Sequence, residues 1–143
     1  MTGSATTSPL AQALRGYVDA RTAALIEARR TLKIGELDAR ALLYIADNPG
    51  TRPSLLRGYL GITSAGVTTL IDRLVDRQAV RRDVDPDDRR VNRITVTVDL
   101  AIEPWSALTR FDTDFDSAIT AGDTEENDRF AQALTGFTTT TVG

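Results

Sequence analysis

The stretch that decides the fold runs over residues 60–100: LGITSAGVTTLIDRLVDRQAVRRDVDPDDRRVNRITVTVDL. Thr63 can cap a helix that starts at Ser64 and runs to about Gln78, because a threonine hydroxyl satisfies a free N–H of the first turn. Within it Val67, Leu70, Ile71 and Leu74 recur at helical spacing, while Ser64, Ala65, Gly66, Thr68 and Thr69 fall on the opposite face. Residues 80–84 then read as a short strand. Asp85-Pro86-Asp87-Asp88 has turn chemistry, and residues 91–98 alternate as a second strand.

Upstream, Asn48-Pro49-Gly50 closes a helix predicted over residues 34–47. Thr51 is the expected cap of a short helix that ends near Leu60, with Pro53 in its first turn. Gly61 suits the left-handed turn into the next helix. Helix, tight turn, helix and then a hairpin is the winged form of the helix-turn-helix, with the helix from Ser64 as its candidate reader.

Further out, Ser8-Pro9 marks the start of a long first helix, with apolar positions from Leu10 to Leu32 over about six turns. Such a stripe is long for a helix covering only its own core, and a second subunit is its natural partner. Residues 1–8 are small and polar and are expected to be loosely ordered. A fifth helix is predicted from Asp99, with Pro104 in its first turns and Trp105, Leu108, Phe111, Phe115 and Ile119 on one face. A sixth begins at Thr124 and carries Phe130, Leu134 and Phe137, and the closing TTTTVG is expected to fray. The fold class expected is mainly α with a small β hairpin. The chain forms a single domain, with residues 34–98 as the DNA-binding unit and 9–33 and 100–140 as dimerisation helices.

The 143 residues are 41% apolar, enough for one globular domain. No apolar run approaches the length of a membrane span, and the first residues lack a secretory pattern, so the expected location is cytoplasmic and no membrane partner is expected. The chain has neither cysteine nor histidine. This excludes disulfides, thiol redox sensing and the usual ligands of transition metals, and no cofactor or metal is expected. It also removes the common catalytic bases and nucleophiles. Asp112, Asp114 and Asp116 alternate across a helix with no phosphate loop beside them, so the chain is not expected to be an enzyme.

Net charge is −3, but it is unevenly spread. Between Arg52 and Arg93 nine arginines face six acids, whereas from Asp99 onward nine acids face two arginines. A basic middle suits nucleic acid, and the acidic end is expected to lie away from it. The opening of the reading helix would meet the major groove, where serine and threonine hydroxyls bond bases or phosphates and a threonine methyl can touch thymine. Ser64, Gly66, Thr68, Thr69 and, five residues on, Arg73 are the candidate contacts. Asp72 is placed to pair with a wing arginine and hold the hairpin to the helix. An arginine tip, here Arg89 and Arg90, suits the negative potential of a narrow minor groove. The competing reading makes the hydroxyls a solvated face and the turn a set of weak surface pairs.

Residues 60–98 resemble the MarR family of bacterial transcriptional regulators, through the LGIT lead-in, VTTLIDRLVDR and above all DPDDRR between two strands. The layout of one long first helix, a winged unit and two closing helices is also similar. The resemblance implies a homodimeric regulator of transcription, probing a pseudo-palindromic double-stranded DNA operator and acting as a repressor. It makes Arg90 the groove-inserting residue and Asp88 the residue that orients it. It further implies a small aromatic or phenolic ligand between the dimer helices and the winged unit, for which Tyr17, Arg21, Tyr44 and Trp105 are the candidates. Core packing is the competing role for those aromatics. The alternative function is a winged-helix protein–protein module that has lost DNA binding. Two features depart from the family. Arg57 stands where a small residue is usual, so it either reaches outward to a phosphate or alters the helix packing. The exit VDLAIEPWSAL lacks the family's Thr…Gly turn.

Overall fold

The computed structural model describes residues 7–143, and the start of the polar segment, residues 1–6, lies outside them. Two compact units emerge, one ending at Thr109 and the other spanning residues 110–143.

In the first unit, helix α1 (Pro9–Leu32) starts as its sequence dictates. Ser8 Oγ accepts from the Ala11 N–H at 3.1 Å, and Pro9 takes the first turn. The helix stops at Lys33, which turns left-handed with φ 56°. Its buried residues are Ala28 and Leu32, near its end, while Val18 and Ile26 are exposed. Leu10, Leu14, Tyr17, Ala24 and Leu25 are half-buried.

Helices α2 (Glu36–Asp47), α3 (Pro53–Leu60) and α4 (Ser64–Asp76) pack around one core. Leu42, Ile45, Leu56, Leu70 and Leu74 are fully buried in it. Burial of each such side chain stabilises by about 2 kcal/mol. Gly61 makes the turn between α3 and α4 with φ 67°, as expected, and its N–H donates to the Arg57 carbonyl at 2.9 Å. Thr63 Oγ1 caps α4 by accepting from the Gly66 N–H at 3.0 Å.

Strands β1 (Val80–Val84) and β2 (Asn92–Val96) form the antiparallel hairpin, with Val80 opposite Val96 and Val84 opposite Asn92. Ile94, fully buried, anchors it to the helices. Thr51 is not the cap of α3. It pairs with β2 instead: Ile94 N–H donates to the Thr51 carbonyl at 2.8 Å and Gly50 N–H to the Ile94 carbonyl at 3.0 Å. The base of the wing thus gains a third, one-residue strand, and Arg52 takes the N-cap position with no side-chain cap.

The expected helix from Asp99 is also corrected. Asp99 Oδ1 accepts from the Ala101 N–H at 2.8 Å and closes a local turn. A single 3-10 turn follows at Trp105–Leu108, pinned by buried Leu108 and by Thr109 Oγ1 donating to the Leu100 carbonyl at 2.9 Å. This turn packs on α1.

In the second unit, helix α5 (Arg110–Thr120) and helix α6 (Thr124–Val142) are joined by a short turn. Asp123 Oδ1 caps α6 by accepting from Glu126 N–H, and Asn127 Nδ2 donates to the Ile119 carbonyl at 2.7 Å. The threonine-rich end does not fray as expected. Thr138, Thr140 and Thr141 each donate a hydroxyl to the carbonyl four residues back at 2.9 Å, and the helix continues to Val142. Every residue of α5 and α6 is exposed or half-buried. Among the described residues no helix is long and apolar enough to cross a membrane.

Candidate nucleic-acid interface

Helix α4 divides as its periodicity predicts. Val67, Leu70, Ile71 and Leu74 are buried, while Ser64, Ala65, Thr68, Thr69, Asp72 and Arg73 are exposed. The hydroxyls on that face are already oriented. Thr68 Oγ1 donates to the Ser64 carbonyl and Thr69 Oγ1 to the Ala65 carbonyl, both at 3.0 Å. Ser64 Oγ accepts from Arg57 Nη1 at 3.0 Å, so Arg57 is an exposed side chain reaching from α3 to the head of α4. Gly66 has a structural part. Its N–H is taken by the cap, and a Cβ there would lie 3.1 Å from Thr63 Oγ1.

Arg73 does not extend freely from the helix. Its Nε and Nη2 fork onto Asp38 Oδ2 and Oδ1 at 3.1 and 2.8 Å, tying α4 to α2. The Asp38 carboxylate raises the Arg73 pKa further, mainly through that hydrogen bond. Asp72 pairs with Arg82 of β1 and so joins the reading helix to the hairpin.

The wing is organised by Asp85, the first residue of the turn, which is 1% exposed. Its Oδ1 accepts from the N–H groups of Asp87 and Asp88 at 2.8 and 3.2 Å. Its Oδ2 accepts from Arg93 Nε at 2.7 Å, with Arg52 Nη2 at 3.7 Å. Arg93 Nη1 continues to the Gly50 carbonyl at 3.3 Å. These donors, led by the Asp87 N–H, hold the Asp85 carboxyl below the usual carboxylate range against the opposing effect of burial. Asp88 grips Arg90. Its Oδ1 accepts from the Arg90 backbone N–H and Nε at 3.0 and 3.1 Å, and its Oδ2 from Nη2 at 3.2 Å. The Arg90 guanidinium in turn lowers the Asp88 pKa. The Arg90 side chain is 89% exposed, so it is aimed while remaining open to a partner. Arg89 is exposed beside it.

Sequence reasoning missed Asp85, Arg93, Asp38 and Arg82. For Asp85 a local signal existed, because aspartate at the start of a turn bonds N–H groups two and three residues on. The others depend on contacts between elements.

Of the four candidate ligand residues, Arg21 and Tyr44 line one cleft of about 450 Å³, and Tyr17 and Trp105 are not among its lining residues. The Tyr44 ring stacks on Tyr59 at 4.5 Å between centroids, and the Arg40 guanidinium lies 5.5 Å from the Tyr59 ring. Trp105 packs against the core under Arg77, whose guanidinium lies 5.4 Å from its ring. Arg77 also donates to the Leu32 and Lys33 carbonyls at 2.8 and 3.1 Å, which closes the end of α1. Among the described residues no group of three or more acids could hold a metal ion.

A reading helix joined through Asp72 and Arg82 to an arginine-tipped hairpin defines a winged helix-turn-helix protein. Residues 34–91, the winged unit, match the model of the MarR family. The resemblance carried by DPDDRR is borne out. No curated protein matches the chain. Solved structures do. A variant of MepR from Staphylococcus aureus bound to an oligodeoxyribonucleotide is 20% identical, with a TM-score of 0.60 over 94% of this chain and 99% of that one. MepR bound to ethidium bromide is 21% identical, with a TM-score of 0.63 over 96% and 99%. The transcriptional regulator Tm0710 from Thermotoga maritima is 23% identical, with a TM-score of 0.62 over 94% of each chain. At these identities the likeness is one of fold.

Proposed function

We propose that the chain is a sequence-specific double-stranded DNA-binding regulator of transcription, working as a cytoplasmic homodimer. It represses by occupying a pseudo-palindromic operator, and a small aromatic or phenolic ligand releases it. The observation that carries the DNA reading is the Asp88–Arg90 grip. An arginine side chain 89% exposed, yet held at two guanidinium nitrogens and at its backbone N–H, is prepaid in conformational entropy for a narrow groove. The exposed hydroxyl face of α4 stands in the same unit, fixed to the hairpin through Asp72 and Arg82. A protein of the same fold bound to an oligodeoxyribonucleotide supports this reading. The ethidium-bound structure supports a planar ligand, for which the Tyr44–Tyr59 stack and Arg21 are the groups here.

The test is fluorescence anisotropy on the DNA upstream of the protein's own coding region. Binding through several arginines must weaken steeply with salt, and Arg90→Ala should cost about tenfold in affinity. Affinity that ignores both salt and Arg90→Ala would leave the protein–protein module as the function.

A further inference from the structure

Arg57 is unexplained by the contacts proposed above. It follows the buried Leu56 in α3, and its side chain crosses the Gly61 turn to the first residue of the reading helix, where Nη1 donates to Ser64 Oγ at 3.0 Å. Arg57 and Ser64 are both exposed. A hydroxyl has one proton and two lone pairs. With one lone pair of Ser64 committed to a cationic donor from the protein, its proton is left for a partner outside. Thr68 and Thr69 are set the other way. Each gives its proton to a carbonyl one turn back, so each shows outward its lone pairs and methyl group. One face of α4 therefore carries an ordered pattern, a donor at Ser64 and acceptors at Thr68 and Thr69.

We propose that Arg57 is a positioning residue for base reading. By holding Ser64 Oγ as an acceptor, it aims the Ser64 proton at N7 on a purine edge in the major groove. Cytosine, which shows an N4 donor there, is disfavoured at that position. This rests on the DNA reading above.

The test begins with selection of bound duplexes from a random pool by the full chain. Anisotropy then follows on the selected operator with a 7-deazapurine placed at one purine at a time. The wild-type chain should lose about fivefold in affinity at one purine of each half-site. Ser64→Ala and Arg57→Ala should both lose sensitivity at that same base, and the double variant should be no less selective there than either single one. Alanine at an exposed helical site favours the helix, and unchanged melting temperatures confirm that the variants are folded. The inference is overturned if Arg57→Ala weakens every duplex equally, lowers the salt slope by about one and keeps the 7-deazapurine sensitivity, since Arg57 is then only a phosphate contact. It is equally overturned if the sensitivity of the wild-type chain lies at no purine. Enrichment of no sequence at all would instead remove the DNA-binding reading, and this inference with it.

Discussion

Asp85 shows what a buried carboxylate does that a solvated one cannot. Two backbone N–H groups and the Arg93 guanidinium converge on it and fix both ends of the wing turn. Asp85→Ala would leave those donors facing an empty site and should cost about 2 kcal/mol in a urea melt. Asp85→Asn keeps an acceptor for the N–H groups and should cost less. The carboxyl titrates lower in the folded chain than its ordinary value near 3.9. Its contribution is therefore complete above that value and is lost as pH falls through the lower, folded one. Asp88 acts with the same sign. Wild-type stability should thus decline below about pH 4, with a shallower decline in Asp85→Asn. A variant as acid-sensitive as the wild type would remove Asp85 from this role. In the sequence, Asp85 and Asp88 are two aspartates of one turn. The base of the hairpin, where Gly50, Thr51 and Arg52 fold over β2, separates them, and that contact is not local in the chain.

The joints between elements were less legible than the elements. The capped starts of α1 and α4, the Gly61 turn and the hairpin follow from residue chemistry within a few positions, so the sequence showed them. The break between residues 99 and 110 was hidden because periodicity persists through it. Apolar residues three apart stay on one side in a 3-10 turn as in an α-helix, so Trp105, Leu108 and Phe111 look continuous across the change. The joint between α4 and β1 makes a separate demand. Gln78 sits there at φ 59°, with its N–H donating to the Val75 carbonyl at 2.8 Å and its carbonyl accepting from Thr97 Oγ1 at 2.7 Å. A side chain is strained in that region and glycine is not. Gln78→Gly should therefore stabilise by about 0.5–1 kcal/mol, the relief of strain exceeding the added entropy of the unfolded chain. Gly61→Ala, at φ 67° with open space around the added methyl, should destabilise by a similar amount. Urea melts of the two variants should move in opposite directions, and a loss of stability in Gln78→Gly would show that the turn is held by side-chain contacts instead.

For the molecule as a whole, apolar surface outruns apolar cover. α1 buries Ala28 and Leu32 and exposes Val18 and Ile26, while Phe115, Ile119, Phe130 and Phe137 are exposed on α5 and α6. Each large apolar side chain left in water forgoes about 2 kcal/mol. In the homodimer proposed above, a second copy of the chain would supply the missing cover and give the reading helices their partner, since half-sites about one turn apart require two α4 helices at a fixed separation. Assembly and operator binding should consequently fail together. Sedimentation velocity should find wild-type dimers at micromolar concentration and monomers for Phe130→Glu combined with Phe137→Glu. Those monomers should keep the helical circular dichroism of the first unit yet bind the operator at least tenfold more weakly, because one reading head makes half the contacts. Insertion of five base pairs between the half-sites should weaken the wild-type dimer in the same way, by turning the second half-site to the far face of the duplex. A wild-type chain that sediments as a monomer, or a charged variant that remains dimeric, would place the apolar faces of α5 and α6 outside the dimer interface and leave the spacing of the half-sites to some other contact.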